Sequence, residues 1–501
     1  VGCIFAKCIF PAQAKLLMRK MEDISNAIAR NAALLPETTA LIYEDEIVTW
    51  ARFEQLVDRA SNFLALHAPG ERVALSLPNS LDLVFAIFGS IRAGKAVQVL
   101  DPAWPAPLTQ TVLERLRSDF MLNSTDVDDF NHQLSLEDQS VTDIVRHADP
   151  FATFYTGFTS GSTGIPKGFR RNQNSWLESF RGDRELFSLS AGDVFVALGS
   201  FSHSLFMYAM MRGVYAGGTT LFFAQFRPDR ILRCIEETRG SVVYGVPTQY
   251  DALSMAAEGS GMTFSHVRLV LSSGAKLPDD LKERLRCIFY KAEICEFYGT
   301  SEQSYVSVAR DRRTPAGSVG YPFPGVRVRI LDDSGAELPR GEIGRVFVES
   351  ELMFQGYELA ENPTLERVRQ ALFVGDMGCM DEQGFLYLTG RSDRMIVSSG
   401  KNIYPEEIEA ALIAHSDVGM ACVMGVDDAR RGDRLVAIVK SNPASAVTNS
   451  ALIVWCRDRL PLYKVPMIFY SLSDWPMTGS HKSDLPRLRD ALNGGNLERL
   501  P

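Results

Sequence analysis

Along most of the chain, short apolar runs alternate with longer segments of helical spacing. Residues 73–77 (VALSL) form a compact apolar run, and residues 81–93 (LDLVFAIFGSIRA) carry apolar side chains at helical intervals. A second strand-like run follows at 96–100 (AVQVL). The alternation returns at 194–198, 219–223, 242–244 and 267–271, with helical segments between. Such alternation predicts parallel sheets covered by helices. After about residue 318 the runs shorten to VRVRIL (326–331) and GRVFVES (344–350), separated by turns such as DDSG (332–335) and DEQG (381–384). This predicts antiparallel hairpins in a small sheet or barrel.

A last unit begins near Gly390, with a boundary expected at 390–394. It carries a helix over 405–415, whose Glu406 and Glu407 suit the positive end of the helix dipole. Strands are expected near 419–425, 434–440 and 467–472, and a helix near 449–459. The expected fold is α/β. A large N-terminal domain of helix-covered β-sheets plus a small antiparallel barrel (21–392) precedes a small C-terminal α/β domain (393–501). Residues 1–20 are expected to be a poorly packed extension. Lys7 interrupts their apolar stretch and Lys15, Arg19 and Lys20 follow it, the wrong order for a signal peptide; Met21 is a candidate alternative start.

Composition narrows the class. With 46% hydrophobic and 23% charged residues, the chain is of the globular type, and its 501 residues suggest several domains. The formal charge of −9 disfavours a protein built to hold nucleic acid. No repeat period is visible, and no apolar run reaches the roughly 18 residues of a membrane span. Eight cysteines, at 3, 8, 234, 287, 295, 379, 422 and 456, include no CxxC and no zinc spacing. They predict reduced, mostly buried thiols in a cytoplasmic protein.

The most informative stretch is TGFTSGSTGIPKG (156–168). Its glycines let successive backbone N–H groups face one concavity, its hydroxyls add donors, and Lys167 adds a point charge. That equipment suits nucleotide phosphates. It is not a Walker A loop, because Pro166 precedes the lysine and Gly168 follows it. No GxGxxG stands at a strand–helix junction, so a dinucleotide-binding dehydrogenase is not supported.

TSGSTGIPKG resembles the phosphate-loop signature of the adenylate-forming superfamily, which comprises acyl-CoA synthetases, adenylation domains and beetle luciferases. Further matching segments follow in the family's order: EFYGTSE (296–302), FVGDMGCMDEQGFLYLTGR (373–391), SDRMIVSSGKNIYPEEIE (392–409), PLYKVP (461–466) and PMTGSHKSDLPRLR (476–489). The resemblance covers about residues 35–490 and is closest to acyl-CoA synthetases.

The resemblance implies ATP, Mg²⁺ and CoA as cofactors and co-substrate, and assigns roles residue by residue. Thr159, Ser160, Gly161, Ser162, Thr163, Gly164 and Lys167 would cradle the β- and γ-phosphates. Lys482 would bridge the acid's carboxylate and the α-phosphate, where two anions meet and positive charge is needed. Glu302 would bind the magnesium, a hard cation that prefers oxygen. Thr300 would approach the α-phosphate. Tyr298 would stack on adenine within the Glu296–Phe297–Tyr298 segment, with Gly274 and Ala275 on the other face. Asp376 would accept both ribose hydroxyls, supported by Arg391. His203 falls near the acyl carboxylate and is grouped with the catalytic residues, although an ionised carboxylate needs no general base.

For the second step, the small domain would rotate about Asp393, withdrawing Lys482 and bringing in the loop with Gly400 and Lys401 to meet the pantetheine arm. Three positions depart from the pattern. His481 replaces a usual glycine, Asn402 a frequent arginine, and Ser301 a common threonine.

The resemblance also bears on the substrate. Amino-acid adenylation domains usually carry an aspartate where this chain has Ser202, and a buried ammonium without a counter-charge is costly. The pocket candidates Phe201, Ser202, His203, Tyr244, Gly245 and Val246 are mostly neutral. An acyl-CoA ligase for a neutral-tailed carboxylic acid is therefore expected, aliphatic ahead of aromatic. A dicarboxylate contact through Arg212 stays open. So do a stand-alone enzyme that loads an acyl-carrier protein and a catalytically silent nucleotide-binding paralogue. Retention of Lys167, Glu302, Asp376, Arg391 and Lys482 weighs against the last. The expected state is a monomer or homodimer.

Overall fold

The computed structural model describes residues 23–501 except 117, 119, 137–148, 160–164, 360–365, 399–400, 429–431, 443–444, 446, 478–482 and 496. The expected N-terminal extension at 1–20 lies outside the described residues. By contacts the chain divides into two compact units, Val1–Arg327 with Val348–Thr364, and Val328–Phe347 with Leu365–Pro501.

The first unit holds two sheets. The larger has nine strands in the order Tyr321–Pro322, Ser304–Arg310, Glu293–Thr300, Leu269–Ser272, Val242–Gly245, Val194–Ala197, Thr219–Phe222, Thr39–Tyr43 and Glu46–Thr49. Its centre is parallel. The central strands VVYG and LVLS are buried at every position, the signature of a sheet covered on both faces. The antiparallel strand Ser304–Arg310 then doubles back along Glu293–Thr300.

The second sheet runs in the order Gly356–Tyr357, Lys167–Asn172, Thr153–Thr159, Ala96–Val99, Arg72–Ser76 and Met121–Asn123. The helix Leu81–Arg92 connects two of its parallel strands. Ser80 starts that helix by accepting a hydrogen bond from the Leu83 N–H, and ten of the eleven residues from Leu81 to Ile91 are buried, all but Asp82.

The second unit also holds two sheets. One is built from Arg327–Leu331, Gly344–Glu349, Ala371–Met380 and Glu366–Val368, with Leu386–Arg391 branching from Ala371–Met380. The other pairs the long strands Val418–Asp428 and Gly432–Ser441 antiparallel, and adds Ile396–Ser398, Lys401–Ile403, Ile468–Ser471 and Glu498–Arg499. Helices Pro405–Ile413 and Asn449–Arg457 cover one face through Ile408, Leu412, Leu452 and Cys456. Trp475 and Leu488 of the helix Leu485–Asn493 cover the other.

Among the described cysteines all six are free thiols. Cys295, Cys422 and Cys456 are buried, but Cys287 is exposed and Cys234 and Cys379 half-buried, so the expected burial holds for only some of them. Cys287 lies on the amphipathic helix Asp279–Ile288, whose core side is Leu281, Leu285 and Ile288. Among the described residues no helix is long and apolar enough to cross a membrane.

Candidate active site

The strand Glu293–Thr300 delivers the first group of expected site residues. Side chains alternate along it, so Glu296 and Tyr298 share one face and Phe297 takes the other, where it packs 4.3 Å from the Tyr305 ring. The pairing slips by one residue between Tyr298 and Gly299. Gly299 is required there, since a Cβ would sit 2.1 Å from the Ser304 carbonyl oxygen. Tyr298, Thr300 and Glu302 are half-buried at and beyond this irregularity. The Thr300 hydroxyl accepts from the Gln303 N–H at 3.1 Å, which shapes the turn.

Gly274 and Ala275 are exposed beside the C-terminal end of the strand Leu269–Ser272. Ser273 donates to the Phe297 carbonyl at 3.0 Å, tying this turn to the strand that carries Tyr298. Glu296 has two partners within its own unit. Its carboxylate accepts from the Leu277 N–H at 2.6 Å and pairs with Lys282 at 2.5 Å. It therefore anchors the 273–277 turn.

Thr159 and Lys167 face each other across the hairpin of Thr153–Thr159 and Lys167–Asn172, so the phosphate loop starts and ends at one point. Ser160, Gly161, Ser162, Thr163 and Gly164 lie outside the described residues. The Lys167 Nζ stands 5.5 Å from the centre of the Tyr357 ring, and the Tyr357 hydroxyl donates to Glu302. One aromatic residue thus links the loop lysine to the carboxylate expected to bind metal. Sequence reasoning missed Tyr357; its only signal was the Gly–Tyr pair after an apolar run.

Arg171 braces the same corner. It is 3% exposed and donates to the Ser175 hydroxyl, to the Ser301 carbonyl at 3.3 Å and to the Leu352 carbonyl at 2.6 Å. Burial pushes its guanidinium down to about 10, partly offset by Tyr155, Tyr208 and Glu302.

The residues expected at the acyl pocket differ in exposure. Phe201 and Tyr244 are fully buried. Phe201 packs 5.1 Å from Phe222, and Tyr244 sits in the centre of the nine-stranded sheet, so both are core residues. Ser202 is buried and shares a hydrogen bond of 2.9 Å with Ser200. Gly245 is also buried, with no room for a Cβ beside Leu198 and Tyr250. Val246 remains accessible, 3.6 Å from where a Cβ on Gly274 would lie, and His203 is exposed at the start of the helix Ser204–Ala216. Arg212 is 1% exposed and bonded to Asp183 at 2.6 Å. Its charge is matched inside the core by that carboxylate.

In the second unit, Asp376 and Arg391 are cross-strand partners, 3.4 Å apart. Gly375 has φ +109°, and a Cβ there would meet the Arg391 guanidinium at 2.7 Å. The glycine therefore lets the arginine lie across the strand. Arg391 also reaches Asp393 at 3.3 Å, and the Ser392 N–H donates to the Gly375 carbonyl at 2.8 Å. Just beyond, Arg394 bridges Glu406 at 3.0 Å and Glu409 at 2.6 Å. Lys401 is exposed, with its Nζ 4.0 Å from the centre of the Tyr463 ring. Gly400 and Lys482 lie outside the described residues. Met477 and Ser483, on either side of 478–482, pair with each other.

A hairpin that brings Thr159 and Lys167 together, with Lys167 linked through Tyr357 to a carboxylate beyond a strand end on helix-covered parallel sheets, is the arrangement expected of adenylate-forming enzymes. Residues 28–358 match the AMP-binding enzyme family and residues 407–482 the AMP-binding enzyme C-terminal domain, so the chain belongs to this family. It is 34% identical over 480 residues to YhfT of Bacillus subtilis (strain 168), described as an uncharacterized acyl-CoA ligase, covering 93% of this chain and 98% of that one. Its fold matches o-succinylbenzoate CoA synthetase (MenE) from Bacillus subtilis in complex with the acyl-adenylate intermediate OSB-AMP. The TM-score is 0.81 at 26% identity, over 93% of this chain and 98% of that one. The same synthetase in complex with ATP and magnesium ion matches with a TM-score of 0.80 at 26% identity, over 93% and 99% of the two chains. The chain is thus an AMP-forming acid–thiol ligase: it converts a carboxylic acid to an acyl-adenylate with ATP and magnesium, and transfers the acyl group to CoA.

Proposed function

We propose that the acid is a neutral-tailed carboxylic acid, aliphatic in preference to aromatic, activated by the residues that the two units carry. The observation that carries the nucleotide half of this reading is the chain of contacts from Lys167 through Tyr357 to Glu302. It gathers a cation for phosphate and a hard oxygen ligand at the strand end that bears Tyr298 and Thr300. Glu302 fits magnesium because it is half-buried and offers a second carboxylate oxygen beyond the one that Tyr357 holds. Magnesium, when bound, neutralises phosphate charge and so eases attack by an anionic nucleophile.

The chain's own residues do the rest. Tyr298 offers a ring face to adenine, with the exposed backbone of Gly274 and Ala275 beside its strand. Asp376, held by Arg391, offers two acceptor oxygens to the ribose hydroxyls. Lys482 supplies positive charge where the acid's carboxylate meets the α-phosphate. The carboxylate oxygen bonds to the α-phosphorus and pyrophosphate leaves. The CoA thiol then attacks the acyl carbon and AMP leaves. Asp393 is the hinge between the two steps, and Gly400 and Lys401 meet the pantetheine arm. A neutral tail follows from Ser202, Val246 and the internally paired Arg212, none of which offers a free charge to a second carboxylate or an amine.

The test is acid-dependent pyrophosphate release with ATP and Mg²⁺ across aliphatic, aromatic, dicarboxylic and amino acids, each with and without CoA. Release is expected to be fastest with the aliphatic set, with the acyl-CoA formed when CoA is present. Fastest release with a dicarboxylic or amino acid would overturn the assignment.

A further inference from the structure

The segment 352–358 lies outside every motif singled out in the sequence, yet it is built into the phosphate corner. The strand Gly356–Tyr357 pairs with Lys167–Asn172, placing Tyr357 opposite Phe169. The Glu358 N–H donates to the Gly168 carbonyl at 2.6 Å, and the Gln355 N–H to the Arg170 carbonyl at 2.9 Å. On the other side, the Phe354 N–H donates to the Glu302 carbonyl at 2.8 Å. Three further contacts clamp the segment's ends. Arg171 holds the Leu352 carbonyl, and Glu358 pairs with Arg72 at 2.8 Å and accepts from Thr156 at 2.9 Å. Backbone and side chain together therefore fix Tyr357 between the strand that starts at Lys167 and the turn that carries Glu302. The Phe354 ring, edge-on at 5.1 Å, fixes its ring plane.

We propose that Tyr357 is a positioning residue of the nucleotide site, which orients Glu302 toward the metal through its hydroxyl and holds Lys167 over its ring face. A carboxylate that ligates magnesium needs its free oxygen aimed before the ion arrives, and a hydrogen bond to the other oxygen does this. The ring face adds a weak attraction for the ammonium, which limits where Lys167 can go. Metal and phosphate binding thus depend on one residue that touches neither. The inference rests on the nucleotide-site reading given above.

Tyr357→Phe removes the hydroxyl and keeps the ring. Mn²⁺ binding in the presence of α,β-methylene-ATP, followed by electron paramagnetic resonance, reads the metal site without turnover. Tyr357→Phe is expected to weaken Mn²⁺ binding about tenfold. The same variant should shift the Mg²⁺ dependence of pyrophosphate release to higher concentration, leave the rate at saturating Mg²⁺ within about threefold, and keep the ligand-free melting temperature. In a Glu302→Gln background the same change should have no further effect on Mn²⁺ binding, which covers the case of a general loss of folding. Equal Mn²⁺ affinity in Tyr357→Phe and the parent would overturn the inference, as would an undiminished effect in the Glu302→Gln background. A parent that binds no Mn²⁺ with the analogue would instead overturn the nucleotide-site reading itself.

Discussion

Asp193 is held from three sides. Arg268 grips both its oxygens at 2.7 Å, the Ser190 N–H donates at 2.9 Å and the Ser241 hydroxyl at 2.9 Å. Burial alone would raise its carboxyl, but these donors, Arg268 first, hold it below the usual carboxylate range. Asp193 and Arg268 stand just before Val194–Ala197 and Leu269–Ser272, two strands of the nine-stranded sheet. Because the folded state favours the charged form, this contribution is present in full above about pH 4 and is lost as the pH falls through the depressed value. Asp193→Asn should cost about 2 kcal/mol at pH 7 in urea unfolding, with the gap from the parent narrowing below about pH 4. A gap that stayed constant down to pH 3 would contradict this. At this scale the sequence marks chemistry better than environment. The residue types and order of Lys167, Tyr298, Glu302 and Asp376 can be read from the sequence, but the packing and pairing of Glu296, Phe201, Tyr244 and Arg212 cannot. Their roles turn on partners far along the chain, such as Lys282, Phe222 and Asp183.

Among the elements, the strand Glu293–Thr300 does most to place the site. Its register with Ser304–Arg310 fixes where Tyr298 ends and where the turn to Glu302 begins. The close approach at Gly299 is the weak point of that register. Gly299→Ala would push a methyl group into the Ser304 carbonyl and force the turn apart. It should weaken ATP binding by at least about tenfold, and cost about 1–3 kcal/mol in stability. Calorimetric titration and thermal melting check the two effects, and unchanged ATP affinity would show that the bulge is not what sets Tyr298 and Glu302. Elements with a clean period were legible, including Arg72–Ser76, Leu81–Arg92 and Ala96–Val99. The hairpin of Val418–Asp428 and Gly432–Ser441 runs further than its apolar pattern. Its ends pair through Asp427, Asp428 and Arg434, where backbone hydrogen bonds continue without an apolar face. The two-residue strand Gly356–Tyr357 is too short to show any period.

For the whole molecule, the α/β class and the order of its parts were legible, because alternation of apolar runs and helical spacing is a property of long stretches. The contact grouping draws its limits elsewhere than the expected boundary at 390–394. Contacts group 365–392 with the C-terminal half, where the strand Leu386–Arg391 meets the helix Pro405–Ile413 and Gly390 lies against Glu406. A boundary drawn from composition near 392 follows the chain, whereas packing follows which faces meet. In the proposed reading, the adenine, phosphate and metal groups fall in the first unit's residue ranges and Asp376, Arg391 and Lys482 in the second's. The enzyme joins the acid to AMP before CoA. The direct measurement uses the best acid from the substrate panel with ¹⁸O in both carboxylate oxygens, ATP, Mg²⁺ and CoA, and reads the AMP by mass spectrometry. Attack of the carboxylate on the α-phosphorus followed by thiol attack at the acyl carbon leaves one ¹⁸O in each AMP. Unlabelled AMP, or ADP with labelled phosphate, would contradict the account.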